Sequence, residues 1–391
     1  MGIKMKTLSK RTADFTDSVI RRMTRISDQF GAINLSQGFP DFEPPKEITD
    51  RLSEVAKEGP HQYALTWGAQ NFREALAKKQ EHFLGMKVNP DTEIVVTCGS
   101  TEAMMAAMMS VCNPGDKVVI FSPFYENYGA DTILSGAEPV YVPLKPPTFE
   151  FDADELETAI RQDGVKALIL CNPSNPCGKV FTKEELLIIA DLAKKYDIYV
   201  ITDEVYEHII YKPHEHVYMA TLPGMRERTI ICNSLSKTYS ITGWRLGYVI
   251  ASPETADRIK KVHDFLTVGA AAPLMEAAVV GLRFEDSYYE ELQNHYTHMK
   301  NLFVGGLRDI GLNFTEPQGA YYVLLDISGF GYESDTLFCE KLAEKVGVGA
   351  VPGSSFFRGN VNHLIRLHFA KTDETLLKAL DRLSGIKNKM R

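Results

Sequence analysis

The sequence predicts an α/β fold: a large domain with a mostly parallel, seven-stranded sheet flanked by helices, and a smaller α+β domain. Between about residues 93 and 251, short β-branched runs alternate with helical patterns, which is typical of a parallel sheet covered on both faces. After residue 285, a long helical pattern precedes two further apolar strands. A chain of 391 residues with 44% hydrophobic residues is large enough for two such cores.

The predicted elements also suggest domain limits. We expect residues 1–45 to join the small domain, residues 46–285 to form the large domain, and residues 286–391 to complete the small one. Sheets of this type bind ligands beyond the carboxyl ends of their strands, so the chemistry is expected there. The predicted strands of the large domain are 93–97, 117–121, 139–142, 167–171, 199–202, 229–232 and 246–251. The predicted helices between them are 101–111, 125–135, 152–161 and 183–196, and the small domain has helices at 287–310, at 335–345 and from 373, with strands at 320–326 and 364–369.

The charge balance and the apolar pattern disfavour functions on nucleic acid or membranes. The chain has 43 Lys and Arg residues against 51 Asp and Glu residues, a net charge of −8, which provides no general attraction to nucleic acid. No apolar run approaches the roughly 20 residues of a membrane helix, and the N-terminus lacks the apolar segment of a secretory signal. Because the six cysteines are scattered, as in reduced cytosolic proteins, we expect a cytoplasmic location.

The segment NSLSKTYSITGWRLGY, residues 233–248, is the most informative part of the chain. Lys237 follows a predicted buried strand, with Ser234 before it and Arg245 eight residues after it. A desolvated lysine has a lowered pKa and can form a Schiff base, and the hydroxyl and guanidinium groups suit a phosphate. A lone lysine is usually a solvated surface residue, but its position and neighbours here favour a catalytic role.

Two other predicted strands are followed by polar side chains that suit an aromatic ring with a basic nitrogen. Asp203 and Tyr206 follow the strand at 199–202. A buried aspartate requires a cationic partner, which a protonated pyridine nitrogen provides, and the alternative is a helix N-cap. Asn175 lies in the turn NPSNPCG and can present its amide to a ring oxygen, the alternative being an ordinary tight loop.

A third group lies at a predicted helix start in the motif CGSTEA. Gly99, Ser100 and Thr101 follow the strand at 93–97. The free N–H groups and the dipole at such a helix start favour a phosphate group. The alternative is an ordinary capping box, which has the same sequence pattern.

Together these motifs resemble the class I/II aminotransferases of fold type I, which depend on pyridoxal 5′-phosphate. The motif SLSK followed by GWRLGY is highly specific for them, as is NPxNPxG followed by DEVY at this distance. Cys177 stands where the second motif commonly has threonine, which removes no cofactor contact. The segments INLSQGFPDF and LPGMRERT are most similar to the kynurenine/glutamine and methionine aminotransferase branch, and the resemblance covers nearly the whole chain.

The resemblance implies how these residues would bind the cofactor. Lys237 would form the internal aldimine with pyridoxal phosphate, and Asp203 would pair with its pyridine nitrogen. Asn175 and Tyr206 would hydrogen-bond the 3′-oxygen, while Tyr125 would stack on the ring. The residues implied at the phosphate are Gly99, Ser100, Thr101, Ser234 and Arg245.

The resemblance also implies the substrate contacts and a homodimer. Arg366 would bind the substrate α-carboxylate through both of its terminal nitrogens, with Gly38 and Asn175 lying against the substrate. Taken alone, Arg366 could equally form an ion pair at a strand end. Tyr63 would reach the cofactor phosphate of the neighbouring subunit.

The activity implied is the transfer of an amino group from an L-amino acid to a 2-oxo acid by a ping-pong mechanism. Thr101 is neutral at a position where some related aspartate aminotransferases have a lysine, which argues against a dicarboxylic donor. We therefore expect a neutral, aromatic or methionine-like donor. Aromatic residues that could line its pocket are Phe39, Tyr63, Tyr125 and Tyr321.

Three alternatives use the same residues: an aspartate aminotransferase, a C–S lyase of the same fold, and a regulatory protein with a degenerate cofactor site. The presence of both Lys237 and Asp203 favours an enzyme over the third. Three histidines follow the motif DEVY, namely His208, His214 and His216. We predict that they lie in a solvated loop, and we therefore expect no metal site.

Overall fold

The computed structural model describes residues 6–13, 15 and 17–390, so the first five residues of the predicted N-terminal segment lie outside this range. It contains a seven-stranded sheet, a four-stranded sheet and a two-stranded sheet, and the predicted α/β fold class is confirmed. The helices are α1 (Val19–Gln29), α2 (Lys46–Glu58), α3 (Gln70–Leu84), α4 (Ser100–Val111), α5 (Asn127–Leu134), α6 (Ala153–Ile160), α7 (Lys183–Lys195), α8 (Pro253–Thr267), α9 (Ala272–Leu282), α10 (Asp286–Asp309), α11 (Asp335–Lys341), α12 (Asp373–Ser384) and α13 (Ile386–Lys389). The strands are β1 (Ile33–Asn34), β2 (Ile94–Thr97), β3 (Lys117–Ser122), β4 (Glu138–Pro143), β5 (Val165–Cys171), β6 (Tyr199–Asp203), β7 (Thr229–Ser234), β8 (Gly247–Ile250), β9 (Asn313–Phe314), β10 (Tyr322–Asp326), β11 (Val348–Gly349), β12 (Val351–Pro352) and β13 (Leu364–His368).

The topology of the large sheet places Lys237 and Arg245 at the end of the sheet where the parallel strands have their carboxyl ends. Its strand order is β2-β8-β7-β6-β5-β3-β4, and all neighbours are parallel except β8, which runs antiparallel to β2 and β7. Ser234 at the end of β7 pairs with Gly247 at the start of β8. The connection between these two strands therefore lies at the carboxyl ends of the parallel strands, and it contains both Lys237 and Arg245.

Alternate residues of the central strands contribute to two different cores. Val119 and Leu168 pack with residues of α6 and α7, whereas Val118 and Ile169 pack with residues of α4 and α8. This alternation is the two-residue period of a strand whose two faces are both buried. It explains why these strands are continuous apolar runs in the sequence.

Several helices were not predicted, namely α1, α2, α3, α8 and α9. Most residues of α9 are buried, so its apolar residues do not show the 3.6-residue period of a half-exposed helix. α8 begins with Pro253 in its first turn, a position that tolerates the missing N–H. None of the described helices has both the length and the apolar character needed to cross a membrane.

The C-terminal part of the chain forms the four-stranded antiparallel sheet β12-β13-β10-β9 beside α10 and α12. Ile33 of β1 pairs in parallel with Val348 of β11, so the N-terminal segment contacts this part. The helix predicted at 335–345 is α11 followed by a π-helical turn, which ends at Gly347 with a φ of 83°, where glycine is favoured. The domain limits at residues 45 and 285 stay a prediction.

Candidate active site

A cleft of about 1340 Å³ lies where β5, β6 and β7 end, as expected for an α/β sheet. Tyr63 does not line this cleft and is 88% exposed elsewhere on the surface. Gly99 does not line the cleft itself but lies against the guanidinium of Arg245, which does. The other predicted site residues all line the cleft: Gly38, Ser100, Thr101, Tyr125, Asn175, Asp203, Tyr206, Ser234, Lys237, Arg245 and Arg366.

Lys237 has the environment of a reactive amine. Its Nζ donates a hydrogen bond to the carbonyl oxygen of Gly38 at 3.2 Å and lies 5.8 and 5.6 Å from the ring centres of Tyr206 and Tyr321. Burial lowers the pKa of Lys237 to about 8, although the nearby Asp203 opposes the shift. The alternative of a solvated surface lysine is therefore wrong.

Asp203 is a buried carboxyl held by two donors. The hydroxyl of Tyr128 donates to Oδ2 at 2.7 Å, and the backbone N–H of Val205 donates to Oδ1 at 3.3 Å. Burial raises the pKa of Asp203 to about 6, and both hydrogen bonds oppose this shift. Asp203 ends β6 and a turn follows it, so the helix N-cap alternative is wrong.

Tyr206 and Asn175 are held by residues of the C-terminal part. The hydroxyls of Tyr206 and Tyr322 are 2.9 Å apart, and burial raises the pKa of Tyr206 well above its usual range. The Tyr206 hydroxyl therefore keeps its proton near neutral pH and can donate it to an oxygen. Asn175 Oδ1 accepts a 2.7 Å hydrogen bond from Arg366, which fixes the orientation of its amide.

Arg366 is 1% exposed, and its guanidinium lies between two aromatic rings. Its carbon Cζ is 4.4 Å from the ring centre of Tyr322 and 4.5 Å from that of Phe356. Besides Asn175, its partner is the carbonyl oxygen of Ser36 at 2.9 Å, and its Nε has no partner among the described residues. The alternative of an ion pair at a strand end is wrong, since both partners are neutral oxygens.

The start of α4 and the arginine beside it form an open anion site. Gly99 is the N-cap residue, with a φ of 84°, and it has no side chain that could accept a hydrogen bond from the first turn. The capping-box alternative, which needs a side chain at the N-cap, is therefore wrong. A Cβ on Gly99 would clash with Nη2 of Arg245, so glycine is required for this approach. The nearby Ser236 Oγ is buried without a partner in the described part of the chain.

Several residues that shape the cleft were not predicted from the sequence. Tyr128 holds Asp203, and Tyr322 contacts both Tyr206 and Arg366. Asp131, which follows Tyr128 by one helical turn, also lines the cleft, and burial raises its pKa to about 7. The segment SPFYENY, residues 122–128, ends in Tyr128, but it does not reveal the contact of Tyr128 with Asp203, which lies 75 positions further along the chain.

The loop histidines and one of the aromatic pocket residues differ from expectation. The side chains of His208 and His216 are 6% and 7% exposed, so the prediction of a solvated loop is wrong for them, while His214 is half-buried. Both histidines pack against aromatic rings, and each lies beside a buried glutamate, Glu207 or Glu204. Of the predicted pocket aromatics, Phe39 and Tyr125 line the cleft, whereas the fully buried Tyr321 supports Gly38 from behind.

These features fit pyridoxal phosphate. The open helix start, the arginine beside it and the unpartnered Ser236 hydroxyl suit a phosphate dianion. Asp203 suits a protonated pyridine nitrogen, and the lowered pKa of Lys237 suits a carbonyl group. The fold and the site thus define a pyridoxal-phosphate enzyme of fold type I.

Comparisons with known proteins give the family. Residues 31–383 match the family described as aminotransferase class I and II. The methionine aminotransferase of Escherichia coli is 36% identical over 94% of this chain and 95% of its own length. The kynurenine–oxoglutarate transaminase of Dictyostelium discoideum is 33% identical over 97% and 96%. The solved structure of N-succinyldiaminopimelate aminotransferase from Mycobacterium tuberculosis has a TM-score of 0.93 at 35% identity, covering 97% of this chain and 99% of that chain.

The chain belongs to the aminotransferase class I and II family, and it is a pyridoxal-phosphate-dependent aminotransferase. The predicted resemblance, including its closeness to the methionine and kynurenine branch, is confirmed. The named substrates of the similar proteins differ from one another, so the family alone does not assign a donor.

Proposed function

We propose that this aminotransferase takes the amino group from a neutral, aromatic or methionine-like L-amino acid and passes it to a 2-oxo acid in a ping-pong cycle. The observation that carries the proposal is Arg366, a buried guanidinium that faces the cleft with only neutral partners among the described residues. A substrate α-carboxylate would supply the missing negative charge through two parallel hydrogen bonds. Amino acids and 2-oxo acids share this carboxylate, so one clamp serves both halves of the cycle.

The positions of the side chains support the proposed cofactor contacts. Bound pyridoxal phosphate supplies the electron sink that stabilises negative charge at the substrate α-carbon. Asp203 would hold the pyridine nitrogen protonated, Asn175 and Tyr206 would bind the 3′-oxygen, and Tyr125 would stack on the ring. The phosphate would be bound by Gly99, Ser100, Thr101, Ser234 and Arg245.

Lys237 is proposed to bind the cofactor and to move the substrate proton. Its pKa of about 8 leaves part of the amine unprotonated near neutral pH, as a general base requires. As a base, Nζ would take the proton from the substrate α-carbon, and as an acid it would deliver this proton to C4′ of the cofactor, so that the amino nitrogen stays with the cofactor. The carbonyl of Gly38 and the ring of Tyr206 lie around Nζ and restrict the positions it can take.

We also propose a homodimer in which Tyr63 reaches the cofactor phosphate of the neighbouring subunit. Tyr63 and Phe265 are 88% and 91% exposed, and Leu65 and Val268 are about half exposed. The two segments adjoin, because a Cβ on Gly269 would lie 3.3 Å from the carbonyl oxygen of Thr66. Such a contiguous exposed apolar surface is typical of a protein interface. We call these four residues, Tyr63, Leu65, Phe265 and Val268, the apolar patch.

The donor preference is supported by the lining of the cleft. Phe39 and Tyr125 provide apolar ring surface, and the neutral Thr101 lies near the start of α4. The names of two similar proteins, a methionine aminotransferase and a kynurenine–oxoglutarate transaminase, support the same class of donor. We propose a cytosolic location, which agrees with six free thiols.

Absorption spectroscopy of the purified enzyme tests this function. We expect a visible band from the bound cofactor that moves to the near ultraviolet when methionine or an aromatic L-amino acid is added, and much less with aspartate. Chromatography should detect the matching 2-oxo acid, and Lys237→Ala serves as the unreactive control. Release of ammonia and a thiol, together with a 2-oxo acid that has lost the sulfur substituent, would indicate a lyase instead. A protein that binds no pyridoxal phosphate would refute the proposal.

A further inference from the structure

His263 of α8 is a fully buried histidine, 0% exposed, with a hydrogen-bond acceptor at each ring nitrogen. Nε2 lies 2.8 Å from the backbone carbonyl oxygen of Thr66, and Nδ1 lies 2.7 Å from Oε1 of Glu102. A carbonyl oxygen only accepts, so Nε2 must carry a proton. If Glu102 is ionised, Nδ1 must carry one too, and the ring is an imidazolium.

The other contacts of Glu102 indicate that it is ionised. Its Oε2 accepts the backbone N–H of Cys98 at 2.5 Å, and its Oε1 accepts the hydroxyl of Thr267 at 2.8 Å. Burial is the largest single effect and alone would raise the pKa of Glu102, but the hydrogen bonds from His263, Cys98 and Thr267 and the charge of His263 together lower the pKa. For His263, burial is the largest single effect and acts to lower the pKa, but the hydrogen bond and charge of Glu102, together with the carbonyl of Thr66 and the charge of Asp264, raise the pKa overall.

The pair lies beside the anion site described above. Glu102 is in the first turn of α4, and it lines the cleft together with Ser100, Thr101 and Thr267. A carboxylate without a cationic partner there would repel a phosphate dianion. It would also partly cancel the positive charge that the helix dipole places at the start of α4. At the same time, its hydrogen bond to Cys98 holds the turn that leads to Gly99.

We propose that His263 is a positioning residue for the cofactor: as a buried cation it neutralises Glu102, so that the start of α4 binds the phosphate while Glu102 still holds the turn before Gly99. The inference rests on the proposed placement of the phosphate at this helix start. The other ionisable groups around the pair are Cys98, whose thiol pKa is raised by burial, Asp264 on the solvent side of α8, and Arg245.

The test compares the binding of pyridoxal phosphate with that of pyridoxal, which lacks the phosphate, to the full-length protein. We expect His263→Gln to weaken binding of pyridoxal phosphate by about tenfold and to leave the affinity for pyridoxal unchanged. His263→Gln combined with Glu102→Gln should restore the affinity, because the uncompensated charge is gone. Equal losses for both ligands, no loss, or no restoration in the double variant would overturn the proposal.

The variant Arg245→Ala tests separately whether the cofactor phosphate binds at the start of α4, which the role of His263 presupposes. We expect it to lose affinity for pyridoxal phosphate only. If it does so while His263→Gln does not, the role of His263 alone is refuted. If Arg245→Ala has no phosphate-specific effect, the phosphate binds elsewhere and both proposals are wrong.

A spectroscopic measurement on the unaltered enzyme remains decisive even if His263→Gln does not fold. In the holoenzyme with ¹⁵N-labelled histidine, nuclear magnetic resonance should show protons on both ring nitrogens of one buried histidine at neutral pH. Glu102→Gln identifies that signal by shifting it. A neutral ring at this signal would overturn the proposal.

Discussion

The hydroxyl of Tyr128 donates a 2.7 Å hydrogen bond to Oδ2 of Asp203, and both side chains are buried. Burial raises the pKa of Asp203 to about 6, and this hydrogen bond is the largest contribution that opposes the shift. Tyr128 itself stays protonated, since burial raises its own pKa well above the usual range. Tyr128 therefore helps to keep Asp203 ionised, which is the form that can hold a protonated pyridine nitrogen.

We expect Tyr128→Phe to move the acid limb of the kcat/KM profile to higher pH. Without the donor, the pKa of Asp203 rises, so the carboxylate is lost at a higher pH as the medium is acidified. A hydrogen bond to a charged group contributes about 1.5–3 kcal/mol, which corresponds to a shift of roughly one pH unit or more. Steady-state kinetics from about pH 5 to about pH 9 measure the shift. Tyr141→Phe, a cleft tyrosine without a bond to Asp203, should leave the limb in place, and an unmoved limb in Tyr128→Phe would contradict the role.

Lys237→Ala should abolish turnover without unfolding the protein. The variant loses the proposed base, and general acid–base catalysis alone contributes about 10²–10⁴-fold. It also removes an amine whose burial is unfavourable enough to lower its pKa to about 8, so we expect no loss of thermal stability. Product formation and thermal melting are the measurements, with Lys212→Ala in an exposed loop as the control. Turnover in Lys237→Ala comparable with that of Lys212→Ala would disprove the mechanism.

Arg366→Lys and Arg366→Ala should raise the KM for amino acids and 2-oxo acids alike. Lysine keeps the charge but cannot make two parallel hydrogen bonds, so we expect an intermediate effect. Charge-assisted bonds of about 1.5–3 kcal/mol predict a rise of roughly 10–100-fold for alanine. A KM that stays the same for both substrates would exclude Arg366 from the carboxylate site.

Gly38→Ala should lower kcat/KM because a Cβ there would clash with the hydroxyl of Tyr322. Overpacking of this kind costs about 1–3 kcal/mol, and it would displace the carbonyl that accepts a hydrogen bond from Lys237. Combining Gly38→Ala with Tyr322→Phe should recover part of the activity. Gly329→Ala is the control, because its Cβ would meet nothing within 4 Å. If Tyr322→Phe alone keeps its activity and the double variant is no better than Gly38→Ala, the hydroxyl of Tyr322 is excluded as the cause.

The parts of the site that lie at strand ends could be predicted from the sequence. Lys237, Asp203 and Asn175 each follow an apolar strand, and the sheet rule then brings them together. Tyr128 could not be assigned in this way, because it contacts a residue 75 positions away. The pair of Glu102 and His263 spans 161 positions, and no local pattern marks it.

The fold shows the same limit. Partly exposed helices such as α10 have an apolar stripe that marks their length. The predicted helix at 287–310 therefore agrees with Asp286–Asp309 to within one residue at each end. The mostly buried α9 has no such stripe, and its helix was not predicted. Burial of His208 and His216 was missed because it depends on glutamates of the turn after β6 and on α3, which supplies Lys79 beside His208.

Phe265→Asp should disrupt the proposed homodimer and weaken cofactor binding. Phe265 is 91% exposed in the apolar patch, so a carboxylate there leaves the monomer fold intact but would be buried without a partner in the dimer. Cofactor affinity should fall too, because the partner subunit's Tyr63 would no longer reach the phosphate. Sedimentation velocity and cofactor titration measure the two effects. Leu377→Asp is the matched control, since Leu377 is 54% exposed on α12, outside the apolar patch. If Phe265→Asp and Leu377→Asp sediment alike as dimers, the apolar patch is not the interface. In that case Tyr63 is not part of the neighbouring cofactor site.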